Sequence, residues 1–299
     1  MTHRRAVALM ILATLLWSMA GVVTRHLDAA PSFEVNFWRS LFNALTLIIA
    51  LPLMRGRALW RGIARARWPL WASGVCWSLM FTGFMVAMTL TTVANVLLVM
   101  AICPLVTALF ARLFLNQILP TRTWLAILAG GAGIAWMFAG ESAAGASPVG
   151  TLVALAVPLA TAINWTVLQF VAHGKAGGKA PEPIDMLPAV LIGAVLSALA
   201  TLPLALPLQA SAHDLGLLAL LGIAQLAIPC LLAVRLTRIL PAAEIALLGL
   251  LELLFGVTWA WLGAGEQPAA TTLTGGALVI GALLANELVE LRRGRAVPA

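Results

Sequence analysis

The chain has no tyrosine, three cysteines, four histidines and only 11 acidic residues among 299. Charged residues make up 10% of it, against about 25% in an ordinary soluble domain. So little charge excludes a protein whose whole surface meets water. Cys76, Cys103 and Cys230 lie far apart inside apolar runs without CxxC spacing, which argues against a disulfide framework or a zinc site and for small buried hydrophobes. His3, His26, His173 and His213 fall at the ends of apolar runs or between them, and no acidic pair has metal spacing. An intramembrane enzyme needs such clusters, or a serine with a partner base, so no catalytic residue, metal or cofactor is expected. The Lys175–Lys179 stretch lacks the glycine spacing and the Ser or Thr of a phosphate loop. Asn164-Trp165-Thr166 matches a glycosylation pattern, but inside an apolar run where it would be inert.

What is abundant is hydrophobic: 62% of the residues, with 11 tryptophans, a residue that favours membrane interfaces. A membrane span needs about 20 mostly apolar residues. Ten segments qualify: 6–25, 33–54, 68–90, 92–115, 121–140, 149–172, 183–207, 214–235, 240–263 and 269–289. The first follows Arg4 and Arg5 but is longer than a signal-peptide core, and it reads as a retained span. The expected fold is an all-α membrane protein of ten transmembrane helices.

The net charge of +7 comes from short clusters between apolar runs rather than a basic face, so no nucleic-acid partner is expected. With the N-terminus inside, all Lys and Arg except Arg25 and Arg39 fall at inner links, among them Arg55, Arg57, Arg61, Arg65, Arg67, Arg112, Arg122, Lys175, Lys179, Arg235 and Arg238. Asp28, Glu34, Glu141, Asp214 and Glu266 fall outside. The positive-inside rule then places both termini in the cytoplasm; the expected location is a bacterial inner membrane.

Residues 1–145 and 146–299 read as two five-helix repeats. Trp17 falls on Trp165 at an offset of 148, Ala94-Asn95 on Ala243-Glu244 at 149, and Ala129 and Gly133 on Ala277 and Gly281 at 148. The last pairs have small-xxx-small spacing, which lets helices approach closely. An odd number of spans per half inverts the second half, and inverted repeats supply two exchangeable conformations around a mid-membrane site.

WSMAGVVTRHL (17–27), FWRS (37–40) and ANVLLVMAICPLVTALFARLFLNQ (94–117) carry a family resemblance. So do AEIALLGLLELLFGVTWAWLGAGEQ (243–267) and LTGGALVIGALLAN (273–286) in the second half. Together they resemble the EamA-type members of the drug/metabolite transporter superfamily, nearest to its aromatic amino acid exporters. The resemblance implies a secondary transporter exporting small metabolites, amino acids including aromatic ones, by alternating access. It departs from the family pattern at Gln117, where glutamate is usual, and at Leu253, opposite Pro104. Multidrug export is the alternative. Nucleotide sugars would call for several cavity cations, and Arg39 is the only one deep in a span.

Candidate cavity residues are Trp17, Ser18, Asn95, Asn164, Trp165, Gln225, Glu244 and Glu252. Glu252, near mid-span, is costly in lipid and must face a cavity or a partner. It is read as an amine contact or proton site, or as a neutral carboxyl bonded between helices. Glu244 follows Pro241 at a helix start, where the dipole favours it, or forms part of an inner gate. Eight residues separate the two acids, about 80° around the helix and about 12 Å along it. Arg39, with Asn36, Ser40 and Asn43 mostly on its face, is either a clamp to Glu34 or to backbone carbonyls, or a contact for a substrate carboxylate. Prolines 104, 158, 188, 203 and 229 are expected to kink spans. The remaining expected partners are the lipid bilayer and an amino acid substrate, with the protein acting as a monomer.

Overall fold

The computed structural model describes residues 1–56, 58–142, 147–174, 184–264 and 269–295. Arg57, Lys175, Lys179, Glu266 and the expected boundary between the halves lie outside the described residues.

Apolar runs in lipid must satisfy every backbone group internally, and the described residues contain helices and no strands. Eight helical stretches are long and apolar enough to cross a membrane: His3–Thr24, Ser32–Arg55, Trp68–Leu90, Asn95–Leu115, Pro148–His173, Pro188–Ala205, Ala212–Leu236 and Ala242–Gly263. They match the expected spans one to four and six to nine. Helix α8 (Thr121–Ser142) and helix α15 (Ala270–Arg295) lie where the fifth and tenth were expected, and they pack against each other. Leu53, Leu113, Leu125, Leu152 and Leu262 are exposed on the outside of the bundle, a surface that suits acyl chains and not water. The chain is a multi-pass membrane protein.

The interior is built on α9 (Pro148–His173) and α10 (Pro188–Ala205), which flank α5 (Trp68–Leu90); α10 also packs on α3 (Ser32–Arg55). Helices α8 and α15 meet at Gly133 and Gly275. A Cβ on Gly133 would lie 2.8 Å from the Gly275 carbonyl oxygen. Gly281, the repeat mate of Gly133, has nothing within 4 Å of such a Cβ. Of that matched pair, Gly133 forms the crossing, with Gly275 as its partner, and Gly281 does not.

Several long helices are interrupted. The first breaks at Ser18, between α1 (His3–Trp17) and α2 (Met19–Thr24). The fourth breaks at Ala101 and Ile102, between α6 (Val93–Met100) and α7 (Cys103–Leu115). The ninth breaks at Leu250, between α13 (Ala242–Gly249) and α14 (Leu251–Ala264). The eighth runs from α11 (Ala212–Leu220) through a π-helical turn, Leu221–Ala227, into α12 (Ile228–Leu236).

The prolines account for less of this than expected. Pro104 and Pro188 sit at the first helical positions of α7 and α10, where a missing N–H costs nothing. Pro229 lies inside the continuous eighth helix, directly after its π-helical turn, and Pro52, Pro158 and Pro203 lie inside α3, α9 and α10. Pro188 also delays the seventh helix to residue 188, five residues later than the apolar run suggested.

The two ends of the bundle are pinned differently. At the end rich in arginine, Arg55 pairs with Asp185 at 2.9 Å and His3 with Glu244 at 2.8 Å. The amide of Ala242 donates to the Gln169 side chain there. At the opposite end Glu34 accepts from the backbone amides of Gln209 and Ala210 and from Trp38 Nε1. Asp214 accepts from the amides of Asp28, Ala29 and Ser211. Both acids are fully buried, unlike the surface acids that the charge pattern suggested.

Candidate functional site

The breaks expose backbone and place polar side chains within the bundle. Where α1 stops, the Trp17 carbonyl accepts from Gln225 Nε2 at 3.1 Å, and Gln225 sits on the π-helical turn. Ser18 donates to the Leu15 carbonyl and accepts from Trp259 Nε1 at 3.1 Å, joining the first break to α14. A π-helical turn widens the backbone spiral and often marks a functional position. It can approach α3 closely because of Gly222, whose added Cβ would lie 2.8 Å from the Arg39 carbonyl oxygen and 2.9 Å from the Asn43 amide.

Arg39 is buried on α3 and donates to Asn36 Oδ1 at 3.0 Å, while its Nε has no hydrogen-bond partner. The expected clamp to Glu34 does not form, because Glu34 is spent on Trp38 and the two loop amides. Cys230 and Glu252 lie within electrostatic reach of Arg39, and Glu252 forms no direct salt bridge with it. Glu252 lies in the first turn of α14 and is partly buried. Cys103 and Cys230 lie within its electrostatic reach.

The remaining polar set divides in two. Asn43 is fully buried and neither atom of its amide has a partner; Gln225 Oε1 has none either. Asn36 and Ser40 are committed elsewhere. Ser197 on α10 is a hub that meets Asn36 Nδ2 at 3.2 Å, the Ser40 hydroxyl at 3.0 Å and the Thr82 hydroxyl at 2.9 Å. Sequence reasoning missed Ser197 and Trp259. A single serine in an apolar run and one tryptophan of several carry no periodic signal, and their partners come from distant helices.

Other expected cavity residues are structural in this conformation. Asn95 donates to Thr91 and Thr151 hydroxyls at 3.1 and 2.8 Å, tying α6 to α9 at the arginine-poor end. Asn164 accepts from Ser73 at 2.6 Å, and its ring neighbour Trp165 stands edge-on to Trp77 at 5.7 Å. Glu244 is held by His3 at the arginine-rich end. The structure thus brings together Trp17, Ser18, Gln225, Arg39 and Glu252, and leaves Asn95, Asn164, Trp165 and Glu244 in separate contacts.

Two further features are distinct from this centre. A cavity of about 460 Å³ between α6, α7, α8 and α9 is lined by apolar residues including Leu98, Ile102, Leu105, Ile127 and Leu155. At the arginine-poor end Asp28, His213 and Asp214 place ligand-type atoms within 4.8 Å of one another. Asp214 already takes three backbone amides and caps α11, so the cluster has a complete account as a loop fastening.

Residues 4–139 match the sequence model of the EamA-like transporter family. No curated protein matches the chain. Among solved structures 29 chains match, and one crystal structure superposes with a TM-score of 0.77 at 21% identity, covering 97% of this chain and 99% of that chain. At that identity the likeness is one of fold.

Proposed function

We propose that the whole chain is a member of the EamA-like transporter family that exports small metabolites, amino acids including aromatic ones, by alternating access. The observation that carries this reading is the polar centre around Arg39, Glu252 and Gln225, assembled inside an apolar bundle where the first, eighth and ninth membrane helices are interrupted. Discontinuous helices around a mid-membrane site are the usual architecture of secondary transporters.

The two-repeat reading has support from the breaks. Ala101 and Leu250 differ by 149 positions, the offset that aligns the fourth and ninth spans in sequence. Two halves that bend at equivalent residues can exchange conformations, one opening as the other closes. The Asn95 contacts would close one mouth, and His3–Glu244 the other. With the charge rule applied, the arginine-rich mouth faces the cytoplasm of a bacterial cell.

Flux of labelled phenylalanine or methionine in proteoliposomes tests the proposal. Protein-dependent counterflow is expected; an absence of movement, in protein shown to be folded, would overturn it.

A further inference from the structure

We propose that the cavity beside the break in the fourth membrane helix is a groove that binds one acyl chain of a bilayer lipid. The site is separate from the polar centre and does not depend on what the protein transports.

The groove has a floor and two walls. Its floor is the fourth helix, where Leu98, Ala101, Ile102 and Leu105 follow one another at i, i+3, i+4 and i+7 across the break. Helix α8 forms one wall with Leu128, Gly131, Ala132 and Ala135, and α9 forms the other at Leu155. Both walls pack on the floor, but among the described residues α8 and α9 are not packed together, so a gap stays open between them. Small side chains keep it clear. A Cβ on Gly131 would meet only the Ala101 carbonyl oxygen, at 3.9 Å. The space left is about 460 Å³, and no charged or polar side chain lines it.

The groove opens outward, to lipid. Leu128 is 57% exposed, and Leu125, a turn before it, is exposed as well. So are Leu109, a turn beyond Leu105 on the floor, and Leu152 and Leu159, a turn to either side of Leu155. Leu98 and Leu105 lie five and twelve residues past Val93, about 8 Å and about 18 Å at the helical rise. In a hydrocarbon core about 30 Å thick, that depth holds acyl chains and neither headgroups nor water.

Size and chemistry select the occupant. An apolar cavity of about 150 Å³ stays dry and accepts one benzene, so this one has room for roughly three times six carbons, the scale of one acyl chain. A helix from a second copy is too thick: it is about 10 Å across with its side chains, and about 10 Å of its length fills roughly 800 Å³. Left empty, the groove would cost its lining the dispersion contacts of a filled interior. Water would find no polar side chain there to bond. A chain lodged in the groove touches the fourth helix on both sides of the break and braces that joint.

The test places purified full-length protein in liposomes of phosphatidylcholine that carries a photoactivatable diazirine at the middle of one acyl chain. Adducts are mapped by mass spectrometry of the peptides. Segments 98–105 and 128–135 should carry at least about fivefold more adduct than the segments around Leu199 and Leu278, which are exposed on other helices. Ala132→Phe fills the groove from its exposed mouth and should remove that excess while labelling at Leu199 is unchanged. Ala135→Phe serves if Ala132→Phe does not fold. A phosphatidylglycerol probe with the same chains should give the same pattern, because the headgroup lies beyond the groove. In detergent, delipidated wild type should gain several degrees in its unfolding midpoint when phosphatidylcholine is returned, and Ala132→Phe should gain less. Labelling of the groove no denser than at Leu199, or an excess that persists in folded Ala132→Phe, overturns the site. A pattern that follows the headgroup overturns the acyl-chain assignment, and so does a wild-type dimer that Ala132→Phe dissociates. No readout uses flux, so the site stands or falls apart from the transport reading.

Discussion

His3 Nε2 lies 2.8 Å from Glu244 Oε1, joining the first helical turn of the chain to the first turn of α13. The residues are far apart in sequence, and the contact closes α1 against the ninth membrane helix at the arginine-rich end. The pair is partly exposed, so its worth to stability is about 0–1 kcal/mol. His3→Ala should therefore leave the midpoint of thermal unfolding in detergent within a few degrees of wild type. If the contact closes a mouth, transport rates should change several-fold and a cysteine reagent should reach positions near Glu244 faster. An unchanged reagent rate in His3→Ala would make the contact a simple fastening.

Ser197 holds three side chains from two other helices, and its removal should destabilise the bundle. Ser197→Ala leaves Asn36, Ser40 and Thr82 short of a partner at a buried junction. The expected cost is about 1–3 kcal/mol, read as a lowered unfolding midpoint. Ser197→Cys, which keeps a weak donor and acceptor, should recover part of it.

Glu34 and Asp214 bond loop amides rather than substrate. Glu34→Gln replaces one acceptor oxygen by a donor that faces either the Gln209 or the Ala210 amide. A loss of about 1–3 kcal/mol is expected, with the KM of any transported substrate unchanged. A shift in KM at unaltered stability would place Glu34 on the substrate path instead.

Gly222→Ala should be poorly tolerated. Its Cβ would lie 2.6 Å from Phe42 Cβ and 2.8 Å from the Arg39 carbonyl oxygen, so the π-helical turn would have to retreat from α3. Overpacking of this kind costs about 1–3 kcal/mol. Lower yield of folded protein and a lower unfolding midpoint are the readouts; Gly216→Ala, with nothing within 4 Å, is the control.

Helices α8 and α15 should separate when bulk is placed at their crossing. Gly133→Val would drive a side chain into the Gly275 carbonyl and Val279. Gly281→Val meets open space and should be neutral in the same unfolding assay. Equal effects of the two would mean that small residues matter there for a reason other than contact.

The membrane character of this protein was legible in its residues, because lipid imposes one requirement on every residue of a span. Long apolar runs and scarce charge follow from that requirement, and the eight membrane-length helices coincide with runs visible in the sequence. Glu252 was also legible, since a carboxylate at mid-span is costly in any fold. Helix continuity was less so: Ser18 interrupts a helix with no breaking residue beside it, the breaks at Ala101 and Leu250 lie near Pro104 and Gly249, and Pro188 begins a helix instead of bending one. What only the tertiary structure decided is which polar groups find each other. Glu34 went to the loop at Gln209 and not to Arg39, and Ser197 gathered three side chains from two other helices. Arg39 and Glu252, far apart in sequence, came within electrostatic reach of one another without forming a salt bridge. The physical reason is that a hydrogen bond acts over about 3 Å between specific atoms, and those distances are set by how whole helices pack, not by the local sequence around either partner.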